Sequence, residues 1–161
     1  MTRINYGVHP CDLIDKLVKA ELREIKRVPG NLRLRLERGI PMDDIPERFT
    51  LNKGHVLYFL DKGEYTYNRY LLLQEEMILR GFSFTDYSAN WDIYEEYPEY
   101  YNTVPSQPHG FEAIEERLIE RINGYKTPNR YYGREITTEE SIKLFQHPHF
   151  HLILKRRFNI E

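Results

Sequence analysis

The sequence predicts a mostly helical protein of one domain, and three observations carry that reading. Apolar residues recur at helical spacing through three long stretches, residues 12–28, 64–80 and 111–123. A glycine follows each stretch closely, at Gly30, Gly81 and Gly124, as helix C-termini favour. The 161 residues are enough for a single hydrophobic core and no more.

Residues 12–28 read as the first helix, with Cys11 or Asp12 near its cap and Pro29-Gly30 ending it. Residues 31–38 alternate strictly, which by period argues a strand, while Gly39 after so short a segment suits a helix end. Both readings stay open. The second long helix, 64–80, is expected to turn Leu72, Leu73, Met77 and Ile78 inward. Residues 83–110, rich in tyrosine, acid and proline, read as a long ordered loop. In the third helix, Phe111, Ile114, Leu118 and Ile122 form the apolar stripe. A last short helix is expected from Thr137, where Thr137 and Glu140 have capping-box spacing.

Composition excludes several classes of protein. No stretch approaches the roughly 20 apolar residues of a membrane span, and without a charged head followed by an apolar block no secretory leader is expected. Cys11 is the single cysteine, so no intrachain disulfide can form and a reducing cytoplasm is the expected compartment. A net charge of -2 argues against nucleic acid if read as an average, but distribution matters more. Residues 16–38 carry eight lysines and arginines against three glutamates, whereas Asp92, Glu95, Glu96 and Glu99 concentrate acid elsewhere.

Projected as a helix, residues 12–28 place Leu13, Ile14, Leu17, Val18, Leu22, Ile25 and Val28 on one half and Lys16, Lys19, Arg23, Lys26 and Arg27 on the other. Two carboxylates break this division. Glu21 falls within the apolar arc and Glu24 at its edge, one turn from Arg27. A carboxylate is costly to bury without partners. Glu21 is therefore expected to be tethered by backbone donors near a chain end. Glu24, held by Arg27 or left to react, stands at the boundary with cations that could hold phosphate. The start Met1-Thr2-Arg3 adds a second unusual element: removal of Met1 would expose the α-amine of Thr2. Such an amine titrates near ~7.7–8.0, so part of it is neutral and nucleophilic at neutral pH.

Met1-Thr2-Arg3-Ile4-Asn5, Ala20-Glu21-Leu22-Arg23-Glu24-Ile25 with Arg27-Val28, Gly54-His55-Val56 with Asp61-Lys62, Arg80-Gly81-Phe82 and Tyr131-Tyr132-Gly133 occur in that order. This set resembles the phage pyrimidine-dimer DNA glycosylase/AP lyase family, of phage endonuclease V type, over about residues 1–136. The resemblance implies a compact all-α fold with the N-terminus inserted beside the first helix, and residues 31–38 helical. It implies a core over 1–136, followed by a C-terminal extension at 137–161 packed on it or trailing it. It implies Thr2 as nucleophile and Glu24 as acidic partner, and double-stranded DNA with a damaged or modified base as the partner, bound by a monomer. Arg3, Arg23, Lys26, Arg27, Arg130, Tyr131 and Tyr132 would contact that DNA. No cofactor is implied.

The chain also departs from the family pattern. Leu17 stands where the family often has histidine, Lys26 where it usually has proline, and Pro128-Asn129 where it often has Trp-Tyr. These changes touch lesion recognition more than lyase chemistry. His147, His149 and His151 alternate near the end, but with no clear fourth ligand no metal site is expected. The rival readings are a non-catalytic nucleic-acid-binding relative that keeps Met1, a metal-dependent nuclease using those histidines, and a phage factor that binds a host protein through residues 83–101.

Overall fold

The computed structural model describes residues 4–50, 54–105 and 110–161. A 3-10 turn at Pro10–Asp12 leads into α1 (Asp15–Ile25) and α2 (Arg27–Glu37), then α3 (Gly54–Phe59) and α4 (Gly63–Leu79). Short turns at Ser88–Asp92 and Pro98–Tyr100 flank α5 (Ile93–Glu96). After α6 (Phe111–Gly124) come a hairpin of β1 (Asn129–Tyr131) and β2 (Arg134–Ile136), then α7 (Thr138–Gln146) and α8 (Phe150–Arg157). The fold is a single, mostly-α domain, and none of its described helices is long and apolar enough to cross a membrane.

The first segment lies inside the molecule. Ile4, Asn5, Tyr6 and Val8 are all buried, tied to α1 and α4, so the chain enters through the core beside the first helix. Around it α1 packs along α4, with Leu17, Val18 and Ile25 of α1 and Tyr70 and Leu73 of α4 in one core, and Ile114, Leu118 and Ile122 of α6 complete the interior.

Several boundaries differ from those the sequence suggests, each for a local reason. Cys11 and Asp12 lie in the 3-10 turn, and α1 starts only at Asp15. Pro29-Gly30 does not stop a helix: the chain turns at Lys26, and Pro29 falls in the first turn of α2, where no carbonyl awaits its missing N–H. The alternating 31–38 segment is part of α2; Leu32 is buried and Leu34 exposed, so the alternation does not mark a sheet face. In α4, Leu73 and Met77 face inward, but Leu72 and Ile78 are exposed. The inner row carries Thr66, Arg69, Tyr70, Glu76 and Arg80 instead, because polar groups are needed there to bind the turn and hairpin described below. Thr137 and Glu140 do form a reciprocal capping box.

The hairpin is the one sheet among the described residues. Tyr131 pairs with Arg134 across a two-residue turn in which Tyr132 and Gly133 both have positive φ, 52° and 77°. That backbone suits the strand twist but leaves two N–H groups pointing out of the turn. Asp15 accepts both, at 2.9 Å from Tyr132 N and 2.8 Å from Gly133 N. Its Oδ1 also accepts from Arg80 Nη1 at 2.9 Å, while Arg80 donates to Glu76 Oε2 and to the Pro10 carbonyl. One guanidinium thereby fastens the hairpin, α1, α4 and the first turn. Arg80→Ala should lower stability by about 3–5 kcal/mol, since it strands two buried carboxylates. Urea unfolding of the variant would show this; a change under about 1 kcal/mol would mean water replaces the guanidinium.

Candidate active site

Glu21 and Glu24 occupy the same side of α1, three residues apart, yet they differ in every contact. Glu21 is fully buried and saturated with donors: Asn5 Nδ2 at 2.7 Å, Arg69 Nε at 2.6 Å and Arg69 Nη2 at 3.0 Å. Arg69 also donates through Nη1 to the Val8 carbonyl. The expected tether near a chain end exists, but it is built from side chains rather than backbone donors.

His55, on α3, fixes the next point of the buried segment. Its Nε2 accepts the Ile4 backbone N–H at 3.0 Å. Since an amide can only donate, Nε2 is the bare nitrogen and the neutral ring carries its proton on Nδ1. Burial, together with the nearby guanidinium groups of Arg117 and Arg121, lowers the imidazole to about 3. Arg117 stands 3.4 Å from Nδ1 and donates to the Ile4 carbonyl, also at 3.4 Å. Ile4 is thus held by histidine on one side and arginine on the other.

Glu24 is only partly buried, but its Oε2 is shielded from solvent and has no hydrogen-bond partner among the described residues. The expected tether from Arg27 is absent among those residues. Such an atom costs about 1–3 kcal/mol or more for a charged group, so it calls for an explanation. Glu24 lies about one helical turn from Glu21, and therefore from the anchor of Asn5. On its other flank, at about 100° per residue, come Arg23 and Lys19, and Lys26 and Arg27 follow where α1 gives way to α2. Arg23 and Arg27 are exposed; Lys26 sits at the junction of α1 and α2 with its ammonium 3.7 Å over the Tyr87 ring.

Beyond Arg23 opens a cavity of about 500 Å³, with Lys19, Lys26, Phe82, Phe84 and Tyr87 in its walls. Lys19 lies 3.8 Å over Phe82. Aromatic faces and cations around one open space suit a flat ring attached to a phosphate chain.

The remaining expected residues are placed unevenly. Thr2 and Arg3 lie outside the described residues. Arg130 is exposed and caps the hairpin turn through the Gly133 carbonyl. Tyr131 is not at the surface: it is fully buried, donates to the Cys11 carbonyl at 2.8 Å, and has no face to offer DNA. Tyr132 is half-buried, with Arg80 and Lys155 over its ring. Leu17, where the family often has histidine, is core. Arg117 and Arg121 went unnoticed in the sequence. Their spacing of four along the border of the apolar stripe of α6, beside Ile114 and Leu118, was the available signal.

Compared with known families, the chain matches the model of one described as pyrimidine dimer DNA glycosylase over residues 1–89. That stretch contains Glu21, Glu24, His55 and Arg69, while Arg117 lies beyond it.

The His55 ring gives a pH signature with a definite sign. The unfolded ring titrates near 6.5 and the folded ring near about 3. Between those values the unfolded chain holds a proton that the folded chain lacks, so acid favours unfolding. Stability should therefore be complete above pH 6.5 and decline toward pH 3, by at most about 1.4 kcal/mol per pH unit. His55→Gln, which keeps an acceptor for Ile4, should flatten this part of the profile in urea unfolding. An unchanged slope would move the titration to another group.

Proposed function

The chain belongs to the pyrimidine dimer DNA glycosylase family, and we propose that it removes a damaged base and then cuts the strand, using the α-amine of Thr2. The observation that carries this reading is Glu24: a carboxylate oxygen withdrawn from solvent, lacking a donor among the described residues, beside the point where the N-terminal segment is anchored. The chain is pinned at Ile4 and Asn5, two and three residues from Thr2. An ammonium or a cationic sugar is the natural counterpart of such an oxygen.

In this scheme the neutral amine of Thr2 attacks C1′ of the damaged nucleotide. The glycosidic C–N bond breaks, and the departing base takes the bonding pair and a proton. Positive charge spreads over C1′ and the ring oxygen, and Glu24 stabilises it from within hydrogen-bonding range. The amine then loses protons as the sugar ring opens, leaving an imine between Thr2 and C1′. Only an amine nucleophile can form that link. The imine acidifies C2′; loss of its proton expels the 3′ phosphate, and Glu24 is the group at hand to carry protons. Water finally releases the protein.

Arg3, Arg23, Lys26 and Arg27 would hold phosphates along this edge, with Arg117 and Arg121 contributing charge from α6. Tyr131 has no part. A base must leave the stack for the amine to reach its sugar, and the cavity beyond Arg23 could receive an extruded base. Cyclobutane pyrimidine dimers are the proposed lesion.

Borohydride trapping on a duplex with a single such dimer tests the scheme. A covalent adduct mapping to Thr2 is expected, and an adduct on a lysine would overturn the amine mechanism. Trapping on an abasic duplex alone would keep the lyase and exclude the dimer. Glu24→Gln should slow base release about 100- to 1,000-fold while duplex affinity stays within a few-fold. Arg27→Ala should reduce the slope of log affinity against log salt by about one. An unchanged slope would place Arg27 off the DNA path.

A further inference from the structure

The junction between α8 and the Pro10–Asp12 turn gathers three side chains that the proposed reaction does not use. Cys11 Sγ, a carboxylate oxygen of Asp12 and a ring nitrogen of His151 all lie within 4.8 Å of one another. Asp12 Oδ1 is 3.7 Å from Cys11 Sγ and 3.1 Å from His151 Nδ1. The second distance would suit a hydrogen bond, yet Nδ1 is shielded from solvent and makes none. A short separation without hydrogen-bond direction means that the ring nitrogen is not aimed at the oxygen beside it.

We propose that Cys11, Asp12 and His151 form a binding site for a divalent transition-metal cation of the zinc class. Zinc bonds of about 2.0–2.3 Å in a tetrahedron put neighbouring ligand atoms roughly 3.3–3.8 Å apart. The sulfur–oxygen separation of 3.7 Å falls within that range, the nitrogen–oxygen separation of 3.1 Å lies just below it, and the third needs a shift of an ångström or less to enter it. A thiolate with an imidazole selects zinc-like ions over magnesium or calcium. One thiolate and one carboxylate balance the charge of the ion, and three protein ligands leave a fourth position for water.

The surroundings permit this. Glu76 is near Cys11 but is bonded to Arg80, and Lys155, one turn beyond His151, has its ammonium 5.2 Å over the Tyr132 ring. Burial, then the charges of Asp12 and Glu76, push the Cys11 thiol up to about 12. A bound cation displaces that proton, so binding releases one proton and strengthens as pH rises. His147 and His149 are exposed and take no part. The ion would clip the C-terminal helix, which lies beyond the matched residues 1–89, to the turn that starts α1. The clip does not depend on the glycosylase reading.

Cobalt titration of the reduced, metal-stripped full chain tests the site. Cobalt should bind in a single equivalent, with a near-ultraviolet sulfur-to-cobalt band and the visible bands of four-coordinate cobalt. Zinc should displace it and raise the unfolding temperature. Cys11→Ser, nearly isosteric, should abolish the sulfur band and the zinc-dependent rise while its circular dichroism stays that of the parent. His151→Ala should weaken binding by more than about 100-fold, beyond what loss of an outer-shell partner causes. No sulfur band at saturating cobalt would overturn the site. So would undiminished affinity in His151→Ala, because the thiol would then be binding without the imidazole.

Discussion

The pairing of Glu21 with Arg69 is the interaction on which the arrangement depends. Neither charge would be tolerated alone at that depth, and removing either would leave the other uncompensated. Every donor direction that reaches Glu21 is used, by Asn5 and by two nitrogens of Arg69, while the third nitrogen goes to the Val8 carbonyl. An apolar pair of equal volume could fill the same space, but it could not specify where Asn5 and Val8 lie. What the pair supplies is direction. It fixes both ends of the stretch from Asn5 to Val8 between α1 and α4, and His55 and Arg117 fix Ile4 just ahead of it.

This division of labour explains why two carboxylates on one side of a helix differ so much. Glu21 accepts three hydrogen bonds from the scaffold and is fully buried, so it is closed to a substrate. Glu24, one turn on, keeps an oxygen without a partner among the described residues. The scaffold carries the cost of orienting the segment from Ile4 to Val8, and the oxygen left over stays unpartnered among the described residues. Had Arg27 closed on Glu24, as spacing alone allows, the cation and the carboxylate would have satisfied each other. Arg27 is exposed instead, which leaves both charges available to ligands.

The parts legible in the sequence were those governed by neighbours along the chain. The helical stripe of α6, the glycine after α4 and the Thr137–Glu140 box depend on residues three or four apart, and they occur where spacing puts them. The contrast between Glu21 and Glu24 was visible from the helical wheel. What failed required knowledge of distant contacts. Alternation at 31–38 does not distinguish a sheet face from a helix with one inward leucine. Tyr131 and Tyr132 are adjacent in a basic, aromatic segment, but a tight turn sends one inward and holds the other half-buried. Arg69 shows no sign in the sequence of its burial, and nothing in it shows that folding brings Cys11 beside His151, 140 residues away.

The net charge of -2 was a poor guide for the same reason. Charges farther from a phosphate than a Debye length, about 8–10 Å at moderate salt, contribute little to its binding. What matters is the local field near the end of α1, where Lys19 and Arg23 are followed by Lys26 and Arg27 at its junction with α2. No lysine or arginine occurs from residue 81 to residue 116, and Asp86, Asp92, Glu95, Glu96 and Glu99 lie in that interval. A polyanion meeting this molecule is drawn to one face and repelled from the stretch between Ser88 and Tyr101, which packs on α2 and α4. Averaging the two cancels the number while leaving the field, so a nearly neutral chain can still present DNA with a single favourable approach.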